Sequence, residues 1–207
     1  LDIKVTLLGL DDLRTKLDSM RDDLADMASS AALNKIGAKA QTEMKRAISD
    51  EYNLSSSEVA SRLSVSKASR DNLRVVLDPF ASSKRGRSLN LIHFLEKKVT
   101  MAEARRRNKK GQLFTIGLHG KKLPILYFKI KKNQPAKPIP GTFIGNNGRT
   151  VFIRVGRSRV PIEAKATIDV PQMFNAQKTQ ARVLDYIDQE LPIEFDRAIK
   201  MVLERYK

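Results

Sequence analysis

Apolar residues recur at steps of three and four from Leu10 through Leu13, Leu17, Met20, Leu24 and Met27 to Ala31. That spacing keeps one narrow stripe on one helical face. It predicts a long helix starting near Asp11 or Asp12, after a short alternating strand at Ile3, Val5 and Leu7. The stripe resumes in another register at Leu33, Ile36, Ala40, Met44 and Ala47, which predicts a bend or a change of packing partner near Ser29-Ser30. Asp18, Asp22, Asp23 and Asp26 lie in the first half and Lys35, Lys39, Lys45 and Arg46 later, an order that favours the helix dipole.

The period then shortens. Ser55-Ser56-Ser57-Glu58 is a capping-box pattern that predicts a short helix to about Arg62. Leu63–Lys67 and Leu73–Leu77 predict paired strands across a polar turn at Ser69–Asn72, ended by Asp78-Pro79. Leu89–Val99 fits either a strand or a short helix. Thr100–Glu103 is a second capping-box pattern, but the run of cations that follows favours a loop. Leu113–Leu118 and Leu123–Lys131 predict a hairpin around His119–Lys122, with Pro124 at an edge or a strand start. In its second strand Phe128 and Ile130 alternate with Lys129 and Lys131, as on a half-exposed sheet. A proline-rich connection, Asn133–Pro140, leads to Thr142–Ile144 and Thr150–Val155. These flank Gly145-Asn146-Asn147-Gly148, a sequence suited to a tight hairpin because Asn and Gly accept positive φ.

A final helical stripe comprises Leu184, Ile187, Leu191, Phe195, Ile199, Val202 and Tyr206. Pro192 interrupts it, which predicts a kink or two helices meeting near Leu191. The fold class expected is α+β, with long N- and C-terminal helices packed on a central, mainly antiparallel sheet of hairpins. One domain is expected over residues 1–207. It comprises an N-terminal strand and helices (1–62), a basic β-rich centre (63–170) and a C-terminal helical region (171–207).

Charge changes this picture. The 207 residues carry a net +16, but residues 84–165 hold 21 Lys/Arg against three Asp/Glu. The rest holds 18 against 20, so the middle of the chain alone is cationic. Such a field favours a polyanionic neighbour. The candidate contacts are Lys84, Arg85 and Arg87 in one basic loop, then Arg105, Arg106, Arg107, Lys109 and Lys110, and Arg149, Arg154, Arg157 and Arg159 on or beside the Asn-Gly hairpin. The competing reading is a set of solvated lysine- and arginine-rich loops. The chain lacks tryptophan and any recognisable sequence-reading motif, so contact with DNA would be to the backbone, nonspecific and steeply salt-dependent.

Catalytic patterns are sparse. His93 and His119 have no carboxylate at metal-binding spacing, and there is no cysteine. No serine lies in a Gly-x-Ser-x-Gly elbow, and no P-loop is visible. Glu163 has no second carboxylate near it in sequence and is expected to pair with Arg154 or Arg159 rather than to act as an acid or base. No enzyme activity, metal or cofactor is expected. No apolar run reaches 18 residues and no basic-then-apolar leader is visible, so neither a membrane span nor a signal peptide is expected.

The stretch from Phe143 to Phe174 carries a family resemblance. A glycine-spaced hairpin ends in Val151-Phe152-Ile153-Arg154, then come a basic turn, Arg159-Val160-Pro161-Ile162 and a closing Pro171-Gln172-Met173-Phe174. This succession resembles the phage minor tail protein Z family. It departs from that pattern at Thr167–Val170, where a Gly-Pro-Ser step would precede the final Met-Phe. The resemblance implies a structural tail-completion protein of a long-tailed bacteriophage or prophage, acting at the head-proximal end of the tail. It implies other tail proteins as partners (tube or terminator), a homo-oligomeric ring, and a location in the virion tail after assembly in the host cytoplasm. Contact with the genome end is compatible with it, and a sequence-nonspecific DNA-binding protein is the alternative. Gly148, Pro161, Ile162, Pro171, Met173 and Phe174 are the motif positions, with Met173 and Phe174 expected to be buried where the sheet joins the last helix.

Overall fold

The computed structural model describes residues 15, 22–78, 88–99, 115–116, 122–123, 125–156 and 160–206. The described residues within Leu1–Ile48, Ser56–Arg85 and Pro171–Lys207 form one compact unit, and those within Ser49–Ser55 and Gly86–Val170 form a second. The predicted strand at Ile3–Leu7, the start of the first helix and the basic segments at 82–87 and 100–114 lie outside the described residues.

The first unit is built on two long helices. α1 (Asp22–Glu51) runs unbroken through Ser29-Ser30. Its buried positions, Ala28, Ala32, Ile36, Ala40, Met44 and Ala47–Ile48, recur about every four residues. Ala32 is buried where Leu33 was expected, so the stripe continues without the predicted jump. The packing partner does change. Ala28 and Ala32 pack with Ala198, Ile199 and Val202, whereas Gly37 faces Val75 and Val65.

The partner helix is α4 (Gln177–Arg205), the last of the chain. Pro192 lies inside it, and the helix continues on both sides instead of dividing near Leu191. A proline here removes one amide donor but no side chain from the buried face, so packing carries the helix past the defect. Tyr206 caps the helix through its amide and is 55% exposed, so the buried stripe ends at Val202 and does not reach the tyrosine.

A short helix and a two-stranded ladder complete this unit. α2 (Ser56–Ala60) starts within the serine run, as its capping pattern predicts. β1 (Ser64–Ser66) and β2 (Val76–Asp78) are antiparallel, joined through backbone bonds between Ser69 and Asn72. The side-chain amide of Asn34 on α1 bonds both backbone groups of Ala68, at 2.8 and 3.0 Å, which ties the hairpin to the helix. α3 (Val170–Phe174) precedes α4 and buries Val170, Met173 and Phe174.

The second unit holds the remaining strands. Leu89–Val99 proves to be both elements the sequence left open, a 3-10 turn at Leu91–Phe94 followed by β3 (Leu95–Val99). β4 (Thr115–Ile116) and β5 (Lys122–Leu123) form a two-residue ladder. The predicted second strand of that hairpin does not run on to Lys131. β6 (Ile125–Phe128) instead pairs with β3 on one side and β7 (Lys137–Pro138) on the other. As a central strand it buries Ile125, Leu126 and Phe128, so the half-exposed alternation expected of it is absent. Pro138 closes an edge, where its missing N–H costs nothing.

β8 (Thr142–Gly145), β9 (Thr150–Arg154) and β10 (Ile162–Ala164) form a three-stranded antiparallel sheet. The fold class is α+β, with two long helices and several small antiparallel ladders in place of one broad sheet. The end of α1 also contributes here. Its last turn carries no basic residue, against the dipole expectation, and Lys131 Nζ lies 3.2 Å from Glu51. The Lys132 amide donates to the Glu51 carbonyl.

Candidate interaction surface on the β8–β9–β10 sheet

The turn at residues 145–148 sets this surface. Asn146 and Asn147 have φ of +52° and +51°, and Gly148 has +85°. The Gly148 amide donates to Gly145 and the Arg149 amide to Asn146. Left-handed residues give a turn whose twist matches that of the flanking strands, which explains Asn and Gly at these positions.

The turn fixes the register, and the register sorts side chains by face. Ile144 pairs with Val151, and Val151 is fully buried among Leu91, Leu126 and Phe128. Phe143 pairs with Phe152, Ala164 with Phe152 and Ile162 with Arg154, so these five residues share the opposite face. The two phenyl rings stack with centroids 5.9 Å apart and planes inclined by 28°. The Arg154 guanidinium lies 4.5 Å from the Phe143 centroid, within the range of a cation–π contact. Gly145 admits this arrangement. A Cβ there would meet two carbons of the Phe152 ring at 3.0 Å.

Asn90 holds the inner side. Its Oδ1 accepts from the Val151 amide at 2.8 Å and its Nδ2 donates to the Val151 carbonyl at 3.2 Å. The same Oδ1 caps the 3-10 turn by accepting from Ile92. Beyond β10 the chain stays tied down, because Leu91 donates to Lys165 and Thr167 to Leu89.

The candidate residues are distributed as follows. Arg154 is half-buried against Phe143, and Arg149 is exposed at the turn. Arg157, Arg159, Lys84, Arg85, Arg87, Arg105, Arg106, Arg107, Lys109 and Lys110 lie outside the described residues. Gly148, Pro161 and Ile162 are exposed, whereas Pro171, Met173 and Phe174 are buried. Glu163 pairs with Ile153, so it projects from the face opposite Arg154. Sequence reasoning overlooked the Phe143–Phe152 pair and Asn90. The phenylalanines were within reach of it, since each stands three residues from its end of the loop Asn146–Arg149. Asn90 gave no such signal, because its partner is 61 residues away.

Among the described residues no cluster of three or more metal-ligating side chains occurs, and no helix is long and apolar enough to cross a membrane. The family model of prophage minor tail protein Z matches residues 7–207. The chain belongs to that family. The match takes in both long helices and every described strand, far beyond the Phe143–Phe174 motif. No curated protein and no solved structure matches the chain significantly. As a phage minor tail protein, it has the virion tail as its place and other tail proteins as its neighbours.

Proposed function

We propose that this minor tail protein acts in tail completion at the head-proximal end of a long-tailed phage or prophage tail. Its role is structural, without catalytic turnover. It docks onto the tube or terminator proteins and prepares an end competent to join a head, assembling in the host cytoplasm as a homo-oligomeric ring. The observation that carries this reading is the family match across nearly the whole chain. The test combines light scattering at high protein concentration with binding to isolated tails. A ring or a tail-bound species is expected, and a strict monomer that ignores tails would overturn the proposal.

The charge distribution favours a second activity of the same molecule. The net +18 over residues 84–165 supports contact with the genome end, through Arg149 and Arg154 and the cations at 84–87, 105–110 and 157–159. Taken alone, without the tail, this would make the chain a sequence-nonspecific DNA-binding protein. Titration with random duplex across salt is expected to give a steep negative slope. Absence of binding at low salt would remove the DNA contact and leave tail docking intact.

A further inference from the structure

The face shared by Phe143, Phe152, Arg154, Ile162 and Ala164 lies opposite the core side of its sheet. An ordinary outer face of a small antiparallel sheet is polar. This one carries a stacked aromatic pair, a guanidinium laid over one ring and an exposed isoleucine, with exposed Arg149 at the adjoining turn. We infer that this face is a stacking platform for single-stranded nucleic acid, with bases on Phe152 and the Arg154 guanidinium plane and a phosphate on Arg149.

Three considerations select this occupant. Bases stack on aromatic rings and on arginine planes when they are unpaired, whereas a duplex keeps its base faces inside its own stack. An acidic protein segment would answer the cations but would make no use of two π faces. A second copy packed face to face on this sheet would bring one cationic centre against another, which like-charge repulsion opposes. Gly145 fits the same purpose. By holding no side chain beside the Phe152 ring, it lets the ring lie along the sheet instead of standing up from it.

The platform rests on the polyanion contact proposed above and is independent of tail docking. Its test is fluorescence anisotropy of the full chain with a labelled thymidine strand of about 20 nucleotides and with a duplex of equal length, because such a span covers several stacking positions. The strand is expected to bind more tightly than the duplex, by about tenfold or more. A Phe143→Leu/Phe152→Leu double variant keeps apolar bulk and removes both π faces. It is expected to lose strand affinity by about tenfold or more while duplex affinity stays unchanged and the chain remains folded. Equal affinity for strand and duplex, or equal loss of both in the folded variant, would overturn the platform and leave charge alone. Failure to bind either at low salt would overturn the polyanion contact as well.

Photocrosslinking of a bromodeoxyuridine strand to the unaltered chain guards against a variant that fails to fold. Adducts within residues 143–154 are expected, and adducts confined to other segments would count against the assignment. Tail binding by the double variant is expected to be unchanged. Lost tail binding with retained strand affinity would assign this face to a protein partner instead.

Discussion

Asn90 pairs with both backbone groups of Val151, so a side-chain amide takes the place of a strand neighbour. The Val151 side chain is fully buried and its N–H has Asn90 as its partner, whereas its C=O also accepts from the Lys165 amide at 2.8 Å. Asn90→Ala would leave a buried donor unmatched, at a cost of about 1–3 kcal/mol. Asn90→Asp keeps the acceptor and loses the donor, so it is expected to fall between the two. Denaturant unfolding followed at constant slope would check the order.

Gly37 lies where α1 approaches the β1–β2 hairpin. A Cβ at this position would sit 2.6 Å from Val75 Cγ1. Valine is stiff at χ1, so the methyl cannot simply swing away. Gly37→Ala is expected to destabilise by about 1–3 kcal/mol, although alanine is the better helix former. Val75→Ala in the same chain should recover most of the loss, measured as a double-mutant cycle.

Glu194 is buried on α4 and accepts from Lys39 at 2.6 Å and Arg197 at 2.6 Å. The hydrogen bond from Lys39 is the main cause that holds its carboxyl below the ordinary 4.5, with burial opposing. A carboxylate lowered on folding contributes stability above its unfolded value and loses it as pH falls through the folded one. Wild-type stability is therefore expected to decline below about pH 4.5, and Glu194→Gln should decline less steeply there. Lys39 has the opposite sign. Raised above 10.5 by its hydrogen bonds to Glu190 and then Glu194, it contributes below that value and loses the contribution as pH climbs through the raised one. Thermal melts across both ends of the pH range would check the two limbs.

Met173 is fully buried in α3. Met173→Ala removes most of its buried apolar volume and should cost about 2–5 kcal/mol, whereas Met173→Leu should cost less than about 1.5.

What could be read in advance follows the range of the interactions. The Asn-Asn-Gly turn, the short helix in the serine run and the Ser69–Asn72 reversal depend on neighbours a few residues away, and they stand where the sequence puts them. The α1 stripe was visible, but its division between an α4 partner and a hairpin partner was not. That division depends on Ala198 and on Val75, far along the chain. The strand Ile125–Phe128 misled for the same reason. Its lysine alternation begins only beyond Phe128, and two distant strands cover the part that is sheet. At Pro192 the sequence left two outcomes open, a kink or two helices, and the single helix through it excludes only the second. On the candidate surface the arginines announced themselves by charge, and the phenylalanines became informative only once the turn had paired them.

The partnership of α1 with α4 has a consequence for synthesis. Lys39 and Glu194 are 155 residues apart. At about 5–20 residues per second, α1 would leave the ribosome some 8–30 s before the helix that covers its alanines. Meanwhile the whole of residues 86–170 emerges and can complete its own unit. The first unit to begin is thus the last to close, and its uncovered stripe during that interval is the stretch most in need of a chaperone.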